Sequence, residues 1–346
     1  MAHDGEALLA QTLKGGEARC PGTSFGDMLD ADTGPVPDFL RAESYEYMGS
    51  APIRADRYTS PEFFRLEVER MWPNVWQFAA REEDLPEPGD TVVYENAGRS
   101  YLVTRQDDGS VRAFHNVCLH RGRKLRLDSG WSREFKCPFH GFTWNTDGSL
   151  KEIPCRWDFG HLPDTQMQLP EAQVGRWQGY VFLKENPGGP TLAEFLHPLP
   201  EHFARWDNAN RMTAVYVGKV IRANWKATAE AFMEAWHSIV THPQILPFTG
   251  DANTRYNVYG DHVNVAITPF AVKSPHIADN GMPEQWILDE FMKYSGRGSG
   301  RYAGRDRGAA DQPIPEGVSA RAHLAQMNRE RHLADLGYDR SDASDA

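Results

Sequence analysis

A chain of 346 residues with 37 Lys and Arg against 48 Asp and Glu has a net charge of −11, which makes nucleic acid and anionic membrane surfaces poor partners. Its four cysteines are too few for a disulfide scaffold at this length and fit a reducing cytoplasm, where cysteines more often serve metals. The opening MAHDGEALLAQTLKGGEARC has no basic segment followed by an apolar one, and no apolar run approaches the roughly 18 residues of a membrane-spanning helix.

Residues 1–57 are rich in Gly, Pro and Asp and short of periodicity, so a loosely ordered arm is expected. Ser60-Pro61-Glu62 reads as a helix start, with a side-chain cap, proline in the first turn and an acid near the positive end. Phe64, Val68, Met71 and Trp72 continue it at helical spacing, and Pro73 ends it. From there to about 190 the texture is short strands with turn punctuation. TVVYENAGRSYLVTR reads as two strands around Asn-Ala-Gly. RQDDGSVRAF is a hairpin with Asp108-Gly109 at its tip, WNTDGSL carries a third turn, and WQGYVFLKENP is a strand stopped by Pro187. The span 58–190 is therefore expected to be a small all-β domain. In 191–346, MTAVYVGKVI and HVNVAITPFAV read as strands and NWKATAEAFMEAWHSIVTHP as a helix ended by Pro243. The tail is Gly- and Arg-rich from about 296 and helical near 319–336. The whole is of α+β class.

Two similar hooks lie in the β-rich region. CLHRGRKL presents Cys118 and His120; CPFHGFTW presents Cys137 and His140. Two thiolates and two imidazoles suit zinc or iron. Zinc fingers pair their cysteines with each other and their histidines with each other, whereas each hook here holds one of each. That is the requirement of a Rieske [2Fe–2S] centre, with two cysteines on one iron and two histidines on the other. A structural zinc site is the rival reading. Cys20 and Cys155 lie outside the hooks and read as free thiols with no site role.

The pair CLHRG…CPFHG resembles the Rieske box of ring-hydroxylating oxygenase α subunits, and the likeness runs from about Tyr58 to Pro243. Family members often have Trp after the His-Gly of the second loop; Phe142 stands there, keeping an aromatic cover without an indole N–H. The resemblance implies a Rieske-type [2Fe–2S] domain joined to a helix-grip catalytic domain of antiparallel sheet and helices.

A second constellation follows. Two histidines with a carboxylate form the facial triad of non-haem Fe(II) oxygenases. His237 and His242 have four residues between them, a five-residue step that converges only if the helix loosens or ends near His242, which Pro243 encourages. Glu234, three residues before His237, shares its helix face. In the resembled family E/D-x2-H-x4-H supplies both iron histidines. By that likeness Glu234 bridges a neighbouring subunit's cluster to this iron, and the third ligand is a carboxylate nearer the C-terminus. Asp261, Asp289 and Glu290 follow His242 but none has a matching context, so the third ligand stays unassigned and the catalytic domain reads as incomplete.

The resemblance implies a terminal oxygenase that draws electrons ultimately from NAD(P)H. The chain lacks a G-x-G-x-x-G fingerprint, so they arrive through a separate ferredoxin or reductase. The cluster passes them to Fe(II), which works with O2 on an aromatic or other hydrophobic small molecule by hydroxylation, dihydroxylation or demethylation. It also implies a homotrimer. The alternative is a Rieske-type electron carrier without oxygenase activity.

Overall fold

The computed structural model describes residues 23–44, 51–278, 281–298 and 313–345; Cys20 and the rest of the opening stretch lie outside them. The contacts divide the chain into two units. One is Ala51–Arg222. The other joins the described residues 23–44 to those from Ala223 onward.

The first unit begins with a helix, Pro61–Leu66, whose Ser60 side chain accepts from the N–H of Phe63. The helix widens at Glu67–Met71 and tightens at Trp72–Asn74, where Pro73 stops it. Ten strands follow: β1 (Gln77–Arg81), β2 (Asp90–Asn96), β3 (Arg99–Arg105), β4 (Val111–His115), β5 (Gly130–Trp131), β6 (Glu134–Lys136), β7 (Thr143–Asn145), β8 (Leu150–Glu152), β9 (Glu171–Trp177) and β10 (Tyr180–Lys184). Seven form one antiparallel sheet in the order β1-β10-β9-β4-β3-β2-β5, and β6-β7-β8 form a second. The β2–β3 turn places Ala97 at φ 49° and Gly98 at φ 80°, the left-handed pair that suits strand twist in a two-residue hairpin.

Alternation along the strands makes two cores. Tyr101 and Val103 point to one face with Ala80, Leu85, Val181 and Leu183. Leu102 points to the other, where Phe114, Phe135, Trp144, Cys118 and Cys137 close the space against the small sheet. Trp144 is fully buried there, and its indole N–H donates to the carbonyl of Met167 at 2.6 Å.

The second unit corrects the expected arm. Residues 23–44 contain two helices, Phe25–Asp30 and Asp38–Arg41, and Phe25, Met28 and Leu29 are buried. The segment is pinned to a hairpin of β11 (Arg255–Tyr259) and β12 (Val263–Ile267). Asn253 Nδ2 donates to Thr23 O, Asn257 Nδ2 to Ala42 O, and the N–H of Val258 to Ser44 Oγ. Gly and Pro content had hidden two short helices, the first capped by Ser24, held by tertiary contacts. A further core gathers Phe248, Ala271, Ile287, Leu288 and Ala320 between the helices Glu284–Gly298 and Ala320–Leu336. The sequence reading found the second of these helices and missed the first.

Two more expectations are corrected. Arg211–Ile221, read in part as a strand, has no ladder partner among the described residues, and Tyr216 and Val220 are 90% and 97% exposed. Its alternating pattern needs a sheet edge to become a strand. The segment read as one helix, Asn224–Pro243, is broken: Trp225–Glu230 and Ser238–Thr241 are separated by turns. No described helix is long and apolar enough to cross a membrane.

Candidate metal centres

The two hooks are built alike. The N–H of Cys118 donates to Arg123 O at 2.8 Å, and the N–H of Gly122 returns to Cys118 O at 2.9 Å. In the second loop Cys137 donates to Phe142 O at 2.8 Å, and Gly141 to Cys137 O at 3.0 Å. Each loop thus closes over the same interval and carries one Cys at its base and one His near its tip. Both turn on a left-handed glycine, Gly122 at φ 75° and Gly141 at φ 77°. A Cβ on Gly141 would stand 3.1 Å from Pro154 Cγ.

Cys118 and Cys137 are buried free thiols. Burial pushes the Cys118 thiol up, and the neighbouring Cys137 thiol adds to that push. The His120 and His140 rings lie 4.8 Å apart. Phe142 stacks on His120 at 4.8 Å with 10° between the planes, and Phe159 meets both edge-on. Burial, then His140 and Arg121, hold His120 below the ordinary imidazole value.

His120 Nδ1 is buried and without a hydrogen-bond partner. A buried polar atom left unpaired is costly, and a metal bond would satisfy it. Two thiols at the loop bases and two imidazoles at the tips fit a two-metal cluster better than one zinc. Cys155 is exposed and outside this group.

Beside the loops lies a hollow of about 460 Å3 lined by Arg121, Gly122, Arg123, Lys124, Leu127, Pro138 and Phe139. Phe139 is 56% exposed and its ring contacts that of His140 at 3.8 Å, with Arg121 over its other reach at 5.4 Å. From Arg121 to Lys136 the chain holds six basic and two acidic side chains, a local excess hidden by the acidic total.

In the second unit, His237 and His242 flank the single turn Ser238–Thr241, one as N-cap and the other as C-cap. The break in the helix brings their rings to 5.3 Å. Glu234 Oε2 accepts from the N–H groups of Trp236 and His237 at 2.5 and 3.2 Å, and Oε1 stands 2.7 Å from His237 Nδ1. The bond to His237 is the main cause that holds the Glu234 carboxyl below its ordinary value. With Nδ1–H donating to Glu234, the lone pair of His237 Nε2 is left for a metal. Asp261 lies exposed on the β11–β12 turn, Asp289 accepts from Gln285, and Glu290 pairs with Lys293; none joins the two histidines. Sequence reasoning missed Tyr256, whose phenol oxygen accepts from the N–H of Ala235.

A family model described as the Rieske [2Fe-2S] domain matches residues 75–163, and one described as the ring hydroxylating alpha subunit catalytic domain matches 203–336. The glycine betaine monooxygenase oxygenase subunit of Pseudomonas aeruginosa is 29% identical over 230 residues, 64% of this chain and 51% of that one. The large oxygenase component of the naphthalene 1,2-dioxygenase system of Pseudomonas aeruginosa is 32% identical over 197 residues, 54% of this chain and 43% of that one. Among solved structures, the quaternary ammonium Rieske monooxygenase CntA with L-carnitine superposes with a TM-score of 0.51 at 26% identity, covering 54% of each chain. The chain spans about half the length of the curated relatives it matches.

Proposed function

The chain belongs to the Rieske oxygenase α subunits, with a Rieske [2Fe–2S] domain joined to a ring-hydroxylating catalytic domain, and from that premise we propose that it serves as a terminal oxygenase component. Cys118, His120, Cys137 and His140 hold the cluster, and His237 and His242 hold a mononuclear Fe(II) whose third, carboxylate ligand is not assigned in this chain. When bound, these groups supply one-electron transfer and O2 activation. The residues do the rest. Phe142 covers the face of the His120 imidazole and Phe159 its edge, while His140 stays exposed. Glu234 fixes the tautomer of His237, and it bridges to the cluster of a neighbouring copy in a homotrimer. The substrate is an aromatic or other hydrophobic small molecule, in keeping with the exposed Phe232, Trp236 and Val240 around the histidine pair. An acidic ferredoxin or reductase, fed by NAD(P)H in the cytoplasm, delivers electrons at the basic hollow beside Phe139.

The observation that carries this reading is the pair of loops closed by matching hydrogen bonds, with a buried thiol in each and an orphaned imidazole nitrogen on His120. The match to a catalytic domain over 203–336 speaks against a pure electron carrier. Iron and acid-labile sulfide analysis on the full-length protein separates the readings. About three irons per chain are expected for the oxygenase and about two for a carrier; a colourless, zinc-loaded protein would sink both. Oxygen uptake with a reductase, screened over aromatic hydrocarbons and glycine betaine, then tests the substrate class.

A further inference from the structure

The helical segment that leads to His237 is interrupted after Glu230, and a side chain from outside the segment meets the interruption. In a continuous helix the N–H of Ala235 would donate to the carbonyl of Ala231. Here it donates to the phenol oxygen of Tyr256 at 2.8 Å. Tyr256 is not on a loose loop: it stands on β11, paired with Ala266 of β12. Its ring is half-buried, and burial, with Glu234 and Asp251 adding to it, keeps the hydroxyl above the ordinary phenol value, so it stays neutral.

The chain beyond Ala235 takes its course from that break. Glu234 folds back over the next two residues, capping the N–H groups of Trp236 and His237 and meeting His237 Nδ1 at 2.7 Å. A glutamate inside an unbroken helix could not cap these donors, because the carbonyls of the preceding turn would take them. The turn Ser238–Thr241 then starts at His237 and ends at His242, which is why the two rings come within 5.3 Å.

We propose that Tyr256 is a positioning residue for the His237/His242 iron site: its phenol takes the place of a helical carbonyl at Ala235 and fixes the break that aims both imidazoles. The inference rests on the reading of that pair as iron ligands. Tyr256 touches neither histidine and acts through Ala235 and Glu234, so its loss should loosen the ligands without removing one. Outer hydrogen-bonding partners of metal ligands are worth about 10–100-fold in metal affinity.

The test is Tyr256→Phe in the full-length protein, titrated anaerobically with Fe(II), and with Co(II) as a spectroscopic probe of ligand orientation. His237→Ala and Tyr259→Phe are controls; Tyr259 lies on the same hairpin, where its hydroxyl meets Asn257. The expected result for Tyr256→Phe is about tenfold weaker Fe(II) binding and an altered Co(II) ligand-field spectrum, with the Rieske signal and melting temperature unchanged and Tyr259→Phe like wild type. If Tyr256→Phe binds Fe(II) as wild type while His237→Ala does not, the positioning role is overturned and the site stands. Equal loss in Tyr259→Phe, or loss only together with a lowered melt, also overturns it. If His237→Ala keeps wild-type affinity, the iron-site reading itself fails.

Discussion

Cys118 lies buried at the base of one loop and His140 exposed on the other, and each is expected to be indispensable for a different iron. Cys118→Ser replaces a soft thiolate donor with a hydroxyl, and His140→Ala leaves an iron undercoordinated. Both variants should lose the red-brown colour and the Rieske signal in electron paramagnetic resonance; an intact signal in either would contradict the ligand assignment. Glu234 makes a subtler prediction. Glu234→Gln keeps the size and one acceptor oxygen but removes the charge that faces His237 Nδ1. It should load both metals and reduce its cluster normally, yet in single-turnover assays with substrate and O2 oxidise that cluster much more slowly than wild type. Wild-type kinetics would reduce Glu234 to an ordinary surface acid. These candidates stand out in the sequence because metal chemistry restricts residue type and spacing together: C-x-H with C-x2-H, and E-x2-H-x4-H, have few other uses. Tyr256 was not legible, since nothing in a strand sequence says which backbone N–H a phenol will reach. The aromatic cover was half legible. Phe142 was foreseen as a lid and lies flat on His120, whereas Phe159, seventeen residues on, reaches the same ring only through the fold.

At the scale of elements, the hairpins were readable and the broken helix was not. Asn-Ala-Gly and Asp-Gly set left-handed turns through local chemistry alone, so β2–β3 and β3–β4 form where the sequence put them. Asn224–Pro243 has a helical pattern, but its interruption is set by a phenol from another element, which periodicity cannot see. The strand pattern of Met212–Ile221 likewise names a preference, and pairing needs an edge that the described residues do not provide. The two loops with their Cys118 and Cys137 share one core with Trp144, fully buried on β7. Trp144→Ala should cost about 3–5 kcal/mol, and the cluster should be lost with the fold in a thermal melt followed at the cluster's visible absorption. A second element-scale contact predicts acid sensitivity. Glu82, after β1, accepts from Arg176 of β9 at 2.8 and 2.5 Å and lies near Arg105 of β3. The bond to Arg176 is the largest cause lowering the Glu82 carboxyl from 4.5. A folded value below the unfolded one means the stabilisation is present above about pH 4.5 and is lost as pH falls through the folded value. The pair is partly solvated, so its worth is at most about 1 kcal/mol. Glu82→Gln should therefore lower the melting temperature slightly at neutral pH and flatten its fall below pH 4.5; an unchanged acid limb would show that the pair contributes nothing.

For the molecule as a whole, charge distribution carries more information than net charge. The chain is −11 in total, which by itself would repel an acidic redox protein. The loop from Arg121 to Lys136 is a basic island in that field, and it adjoins an exposed ring, Phe139, that touches a proposed cluster ligand. Within the island the charges are not equally free. Lys124 is paired with Glu95, and the island's own Glu134 is taken by Lys151 outside it; Arg123 is an exposed cation where the first loop closes, its backbone carbonyl accepting from Cys118 N–H. Reversing it should therefore alter the approach of a partner without disturbing the loop. Long-range attraction between an acidic donor and a basic patch raises association rates by 10-fold or more at low salt and is screened beyond about 10 Å at 0.1 M. Arg123→Glu is expected to lower the second-order rate of cluster reduction by an acidic ferredoxin roughly tenfold at low ionic strength, with the gap to wild type closing as salt is added. Its Rieske spectrum, and its reduction by a small uncharged photoreductant, should match wild type, because the ligands and their burial are untouched. Stopped-flow reduction over a range of salt concentrations measures this directly. A wild-type rate that ignores ionic strength, or an Arg123→Glu variant reduced as fast as wild type, would move the point of electron entry away from Phe139 and the basic loop.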